Sequence, residues 1–507
     1  MDPAEIPYRR LKMRWQSAVE LLLVLGLALV LGFAYYCTLR PGQDWGGDFS
    51  QYINHARNLA FGRPYLETKY VVRFPESARR MPAAYPPVFP LVLAPAYRRF
   101  GLNYIALKIP VEAMFVLSLL VYYALARLRG LGMFPAVFAV GAFGLSGLVL
   151  SIKDLINSES TYLFFAGLTL IGLLLAERKK WDETRPVTVA ISIAILMLLA
   201  YGTRAIGLAL VIGFSLYEFF VKKQIRIFGV LVLCVFTLGV VLYSVALNVG
   251  RSYVGEFQLV PSIYLSNMVS LLKSPGSLWC DPTPSYVRWL FVASTAVITF
   301  ATFLRRISVR PSVVEWYAIA AILPLIVHST GYSDRYLVPV YVLYFVYFME
   351  GVTWLGTRYA PARRYLPTCA CALLAIGAAV NLHAMERGPY HQGVEQATFL
   401  ETCQYIRASV DANDLVVSWN PRVLALYTDR SSAWYPHTEK DDEFNGYLSR
   451  VNAAYVLLYR QGEKDEHWLA PHLTRQPERF ERVFSNSDFC LYRITTHGGS
   501  DSAVGKR

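Results

Sequence analysis

Long apolar runs recur along the sequence, and they decide the architecture before any motif is considered. A helix crossing hydrocarbon needs about 20 predominantly apolar residues. Residues 21–36, 107–126, 187–199, 205–220, 228–249, 289–304, 313–327 and 336–355 meet or approach that length. Residues 133–150, 162–176 and 366–382 are shorter or interrupted candidates, which brings the expectation to about eleven spans. Composition agrees: 55% of the 507 residues are hydrophobic and only 17% charged, against about a quarter charged in a soluble domain. The expected fold is a polytopic all-α membrane protein.

Basic residues then orient the spans, because cytoplasmic loops carry the excess of Lys and Arg. Arg9, Arg10, Lys12 and Arg14 precede the first run, and Arg127 and Arg129 follow the second. Arg178, Lys179, Lys180, Lys222, Lys223, Arg305, Arg306, Arg310, Arg358, Arg363 and Arg364 mark the later connections. All fall on one side if the N-terminus is cytoplasmic. The loop after the first run and the tail from about residue 384 then face outward, in a multi-pass protein of the cell membrane. The first run is long and ends in no small-residue cleavage site, so it reads as a span and not a signal peptide. The net charge of +13 belongs mostly to the cytoplasmic loops, and no nucleic-acid partner is implied.

Residues 45–90 make an outer loop too long and too aromatic to be a linker. Asp48-Phe49-Ser50-Gln51 has the form of a helix N-cap with a reciprocal residue three positions on. Ile53, Ala56, Leu59 and Ala60 follow at helical spacing, and Gly62 is placed to stop the helix, which would lie flat at the interface. Arg73, Arg79 and Arg80 put positive charge on the outer side. Tyr85-Pro86-Pro87-Val88-Phe89-Pro90 reads as rigid and extended. In the tail, residues 399–409 read as a helix and residues 415–419, 454–459 and 489–494 as strands. The domain organisation expected is a membrane domain over residues 1–383, including the outer loop 40–105, and a small α/β domain over 384–507. Cys403 and Cys490 share the tail, and cysteine count alone does not decide whether they pair.

The residues able to do chemistry cluster on the outer side. Asp48 is either a cap that satisfies free N–H groups or a carboxylate able to take a proton from a hydroxyl. Asp154 and Ser158 are four apart and would share a helix face, with Glu159 one position further round. Asp154 and Glu159 form a second acidic pair beside Lys153. Carboxylates at a membrane edge are costly unless they act. Arg204 and Arg335 offer the planar fork that suits phosphate; the bland alternatives are a snorkelling anchor and, for Arg335, an internal pair with Asp334. His55, His328 and His383 have no metal-binding spacing.

Taken in order, these segments resemble the GT-C superfamily of membrane glycosyltransferases. The nearest likeness is to bacterial dolichyl-phosphate-mannose-protein mannosyltransferase-like and aminoarabinose transferase-like members. It rests on Gly47-Asp48-Phe49 through Tyr52, the Ala60–Gly62 and Tyr65 segment, Tyr85-Pro86-Pro87-Val88-Phe89-Pro90, Ser158-Glu159, Thr203-Arg204 and Arg335-Tyr336-Leu337-Val338-Pro339. The resemblance covers the membrane half and implies an inverting transfer of a sugar, hexosyl or pentosyl, from a polyprenyl-phosphate donor to a hydroxyl acceptor. It implies Asp48 as catalytic base, with Asp154 or Glu159 as the second catalytic acid residue. It implies Arg335, Arg204, Lys153 and Tyr336 around the donor phosphate, and Tyr52, Tyr85, Pro86 and Pro87 around the substrate cavity. A divalent metal ion is the one cofactor left open, because Lys153-Asp154 stands where some members have two adjacent acids. Three rivals remain at this level: a lipid or solute transporter or flippase, a ligase using a lipid diphosphate, and a scaffold whose tail binds a partner.

Overall fold

The computed structural model describes residues 5–72, 84–224, 226–247, 261–279, 285–327, 333–359, 362–390 and 392–495. Arg73, Arg79, Arg80 and His328 lie outside the described residues. Among the described residues, eight helices are long and apolar enough to cross a membrane. They are Ala18–Cys37, Tyr104–Leu128, Glu159–Arg178, Ala205–Lys222, Ile227–Ala246, Arg288–Val309, Asp334–Arg358 and Tyr365–Ala384. Three shorter apolar helices, Met133–Gly144, Pro186–Tyr201 and Val313–Ile326, fill the remaining expected positions. The chain is a multi-pass membrane protein.

It forms two compact units. One takes Met1–Arg40, Pro86–Phe89 and Ile105–Gly388, and the other Pro41–Tyr85, Pro90–Tyr104 and Pro389–Arg507. The second unit resumes at Pro389, near the boundary expected at residue 384, and most of the first loop groups with it. A loop whose aromatic side chains have a core to enter leaves the membrane helices and joins that core.

In the membrane unit, α1 (Glu5–Cys37) packs beside Met133–Gly144 at a close approach. A methyl group on Gly144 would stand 2.7 Å from Leu119 Cδ1 and 3.2 Å from Leu31 Cδ2, so the position admits only glycine without repacking. The tyrosine hydroxyl of Tyr35 donates to the Gly144 carbonyl at 2.7 Å. The expected run 133–150 is not one helix. It breaks after Gly144, and Ser146 caps the short helix Gly147–Ile152 by accepting from Val149 N at 3.4 Å. A break in an apolar region leaves carbonyls that must find donors; Asn381 Nδ2 supplies one to Leu145 at 3.1 Å. The other expected helix face is also absent. Residues 153–157 are turns, and the next helix starts at Glu159 with Ser158 as N-cap, so Asp154 and Ser158 do not share a face.

The second unit is built on a five-stranded sheet ordered β2-β1-β3-β5-β4. β1 (Leu415–Val417) pairs in parallel with β2 (Ser431–Ala433) and β3 (Ala453–Tyr459). β5 (Phe489–Ile494) pairs antiparallel with β3 and with β4 (Phe480–Ser485). The strands at 415, 454 and 489 were legible in the sequence; β2 and β4 were not. The first loop continues this sheet: Val71 N donates to Ser432 O at 2.8 Å and Ser432 N to Lys69 O at 2.9 Å. It also fills the aromatic core. The Trp45 ring lies 5.0 Å from Phe399, 5.6 Å from Trp419 and 5.8 Å from Tyr459. Cys403 and Cys490 are buried free thiols.

Candidate active-site clusters

In the second unit, Asp48 sits in the first turn of α2 (Gly47–Ala60), not at its cap. Gly46 is the cap residue and makes no side-chain cap bond. The capping interpretation of Asp48 is therefore corrected: Gly46 takes the cap position, and the Asp48 carboxylate turns to another partner. Tyr85 OH donates to Asp48 Oδ1 at 2.6 Å. Gln51, the expected reciprocal residue, points to Thr68 at 3.3 Å. Gly62 ends the segment with a positive φ of 64°, which a glycine adopts without strain.

Tyr85 is held on both sides. Tyr52 stacks on its ring with centroids 4.7 Å apart, and its backbone N–H donates to His55 Nε2 at 3.3 Å. An Nε2 that accepts requires the proton on Nδ1, which lies 2.8 Å from the Tyr65 carbonyl. Burial, chiefly, pushes His55 down to about 3, so the imidazole is neutral and serves as a fixed strut beneath Tyr85.

The remaining partner comes from the tail. Arg422, on the helix Pro421–Thr428, is only 1% exposed. Its Nη1 donates to Tyr85 OH at 2.9 Å and stands 3.5 Å from Asp48 Oδ1. Its guanidinium lies over the rings of Tyr70 and Tyr85, at 5.2 and 5.0 Å. The helix follows the carboxyl end of β1, the place where open α/β sheets set functional groups. Asn420 fixes its start by donating from Nδ2 to Trp45 O at 2.8 Å. Sequence reasoning missed Arg422. The available signal was Asn420-Pro421-Arg422 after a strand: a cap, a proline at the first helical position, and a cation at the helix end that disfavours one.

In the membrane unit, the other expected residues divide into two groups. Glu159 opens the helix Glu159–Arg178 and is 4% exposed. Arg204 Nη1 is 2.5 Å from its Oε1 and Arg335 Nε is 3.8 Å away. These are ion pairs, and neither Glu159 oxygen has a hydrogen bond among the described residues. Both cations lie over the Tyr336 ring, with Arg204 Cζ 5.4 Å and Arg335 Cζ 5.5 Å from its centre. Arg335 thus meets Glu159. Pro86 and Pro87 lead into the helix Val88–Phe100, whose Val88 N donates to Gly202 O at 2.9 Å beside the Thr203-Arg204 turn.

Asp154 and Lys153 belong elsewhere. Asp154 Oδ2 accepts from Arg40 N at 2.9 Å and lies 3.8 Å from Lys108 Nζ. Lys153 Nζ donates to Glu112 Oε1 at 2.9 Å and to the Tyr35 and Thr38 carbonyls, each at 3.3 Å. Lys108 Nζ donates to Arg40 O at 2.7 Å. The four side chains tie the end of α1 to the helix Tyr104–Leu128. A divalent ion does not fit this set, because each carboxylate already faces an ammonium. Among the described residues, no group of three or more His, Cys, Asp or Glu side chains stands ready to hold a metal.

No family model and no curated protein matches the sequence. Solved structures do. The oligosaccharyltransferase of Archaeoglobus fulgidus, determined with Zn and sulfate, aligns with a TM-score of 0.60 over 93% of this chain and 73% of its own, at 13% identity. The same archaeal enzyme with an inhibitory peptide and a dolichol-phosphate gives 0.55 over 95% and 75%, at 12% identity. ArnT from Cupriavidus metallidurans, bound to undecaprenyl phosphate, gives 0.54 over 94% of this chain and 98% of its own, at 13% identity. The chain shares the fold of these solved structures.

Proposed function

We propose that the chain is an inverting glycosyltransferase that moves a sugar from a polyprenyl-phosphate donor to a hydroxyl acceptor at the outer face of the cell membrane. The observation that carries this reading is the meeting of two partly exposed guanidiniums, Arg204 and Arg335, at the Glu159 carboxylate. A guanidinium fork matches the oxygens of a lipid phosphate, and two such forks stand together here. The bound lipid phosphates of the archaeal oligosaccharyltransferase and of ArnT, proteins of the same fold, support the same donor class.

In this reading the acceptor oxygen attacks the anomeric carbon while the bond from that carbon to the phosphate oxygen breaks. The electron pair leaves with polyprenyl phosphate, and the acceptor proton passes to Asp48. Arg204 and Arg335 offset the charge that develops on the phosphate, an effect typically worth about 3 kcal/mol per well-aimed donor. Glu159 keeps the two guanidiniums apart and oriented. Tyr336 lies under both, and Tyr52 and Tyr85 shape the ground around Asp48. Asp154 and Lys153 hold the end of α1 and touch no reacting atom. The distribution of basic loops supports an extracytoplasmic tail.

The test is transfer itself. Protein in lipid nanodiscs receives radiolabelled undecaprenyl-phosphate sugars and a panel of glycolipid, oligosaccharide and hydroxyl-peptide acceptors. Labelled product and free undecaprenyl phosphate should appear in equal amounts. Asp48→Asn should lower the rate by roughly a thousandfold in a protein that still folds, as a cooperative thermal transition would show. A folded Asp48→Asn protein at full rate would remove Asp48 from the chemistry.

A further inference from the structure

We infer that Arg422, carried by the C-terminal domain, is a positioning residue for the Asp48 carboxylate and acts on it through Tyr85. The inference rests on the reading of Asp48 as the base. The hydroxyl of Tyr85 is the hinge of the arrangement, because it accepts from Arg422 at 2.9 Å and donates to Asp48 at 2.6 Å. A phenol that accepts from a guanidinium donates more strongly, so the two bonds reinforce one another. The carboxylate oxygen that Tyr85 holds is also the one 3.5 Å from Arg422, so orientation and charge act on the same atom.

Burial makes the relation reciprocal. Enclosing a guanidinium costs several kcal/mol unless a partner charge and good hydrogen bonds accompany it. The carboxylate that Arg422 meets is Asp48, whose side chain is 33% exposed against 1% for the arginine. The charge is hidden on the protein side and open on the other. A structural ion pair is usually enclosed at both ends, as Arg129 is between Glu315 and Glu350. An enclosed cation behind a half-open carboxylate instead aims and ionises that carboxylate. The two faces of Tyr70 and Tyr85 leave the guanidinium little freedom. By this account the C-terminal domain is a working part of the acceptor side, because its first-turn arginine completes the base.

The deciding experiment reads the carboxylate directly, with a diazoacetamide that esterifies protonated carboxyls. The full chain is treated across a pH series and Asp48 modification is followed by peptide mass. Removing the guanidinium in Arg422→Gln should move the Asp48 midpoint upward by about one pH unit, and Arg422→Lys should fall between the two. An unmoved midpoint in a folded Arg422→Gln protein overturns the inference. If that variant does not fold, Tyr85→Phe decides, since it keeps the arginine and removes only the bridging hydroxyl. Its kcat should fall about tenfold at constant donor KM, with the acid limb of the rate profile displaced upward. An unchanged profile and kcat overturn the inference. Should the wild-type protein transfer no sugar at all, the reading of Asp48 as base fails, whereas the labelling midpoints still decide whether Arg422 controls the carboxylate.

Discussion

Residues 153–159 carry two buried carboxylates five positions apart, and the comparison between them separates joinery from a working site. Asp154 meets the Lys108 ammonium and the Arg40 amide, while its neighbour Lys153 meets Glu112. Two positive and two negative charges are enclosed together, and the balance leaves nothing over for a ligand. Glu159 meets Arg204 and Arg335, whose side chains are 16% and 26% exposed. There two partly open cations meet one carboxylate. Balanced charge deep between helices locks the helices. Partly open guanidiniums offer the planar fork that suits a phosphate, as proposed for this cluster.

The comparison breaks most visibly at Lys153. Lys153→Met leaves Glu112 enclosed without its ammonium, which costs about 3–5 kcal/mol when one partner of a buried pair is removed. Thermal unfolding in detergent should show a large loss. The double variant Lys153→Met, Glu112→Met should recover most of it, because neither charge is then stranded. A single variant as stable as the wild type would mean that the group is not a lock, and Asp154 would return as a candidate for chemistry.

A third buried carboxylate shows what happens with no arginine or lysine directly on the carboxylate. Tyr435 OH donates to Asp465 Oδ1, and Tyr459 N donates to Oδ2 at 2.7 Å. These bonds favour the anion, but burial dominates and raises Asp465 to about 7. In the unfolded chain an aspartate ionises near pH 4, roughly. Between those values the folded state holds a proton that the unfolded state has lost, so stability is greatest below the lower value and declines as pH rises toward 7. The decline should amount to a few kcal/mol, on the order of 1.4 per unit. Asp465→Asn, neutral throughout, should flatten the melting temperature between pH 4 and 7. A wild-type protein without that slope would show that hydrogen bonds alone keep a buried carboxylate ionised.

The membrane helices were legible because lipid imposes length and apolarity on each run independently. What a run alone could not disclose is where its neighbours press. Leu119, Leu31 and Tyr35 approach closely at the break after Gly144, which no local pattern records. Lys108 and Glu112, four apart within an apolar run, were a visible signal of a helix face with internal partners, and it went unused. The site was legible in its residue types and obscure in its pairings. Asp48 stood out as an acid before a helix, yet its capping role belongs to Gly46 and its partners lie 37 and 374 positions away. The same distance hid β2, three residues long, which is completed by the loop at Lys69–Val71.

The finest division lies inside the Glu159 cluster itself, between a carboxylate that reacts and one that only holds the arginines. Glu159→Gln keeps the side-chain volume and removes the charge that competes with phosphate for Arg204 and Arg335. If the carboxylate is a placeholder, undecaprenyl phosphate should bind more tightly, by about threefold to fivefold, the worth of one partly solvated pair. The same variant should keep kcat within about twofold, since the proton goes to Asp48 in this scheme. Arg335→Gln should do the reverse and weaken binding by about tenfold, as the loss of a charged hydrogen bond to phosphate would. Equilibrium binding of the lipid and steady-state kinetics on both variants separate the cases. A Glu159→Gln protein with slack binding and a kcat lowered a hundredfold would give Glu159 a share of the chemistry, and the contrast with Asp154 would become one between a lock and a second catalytic acid.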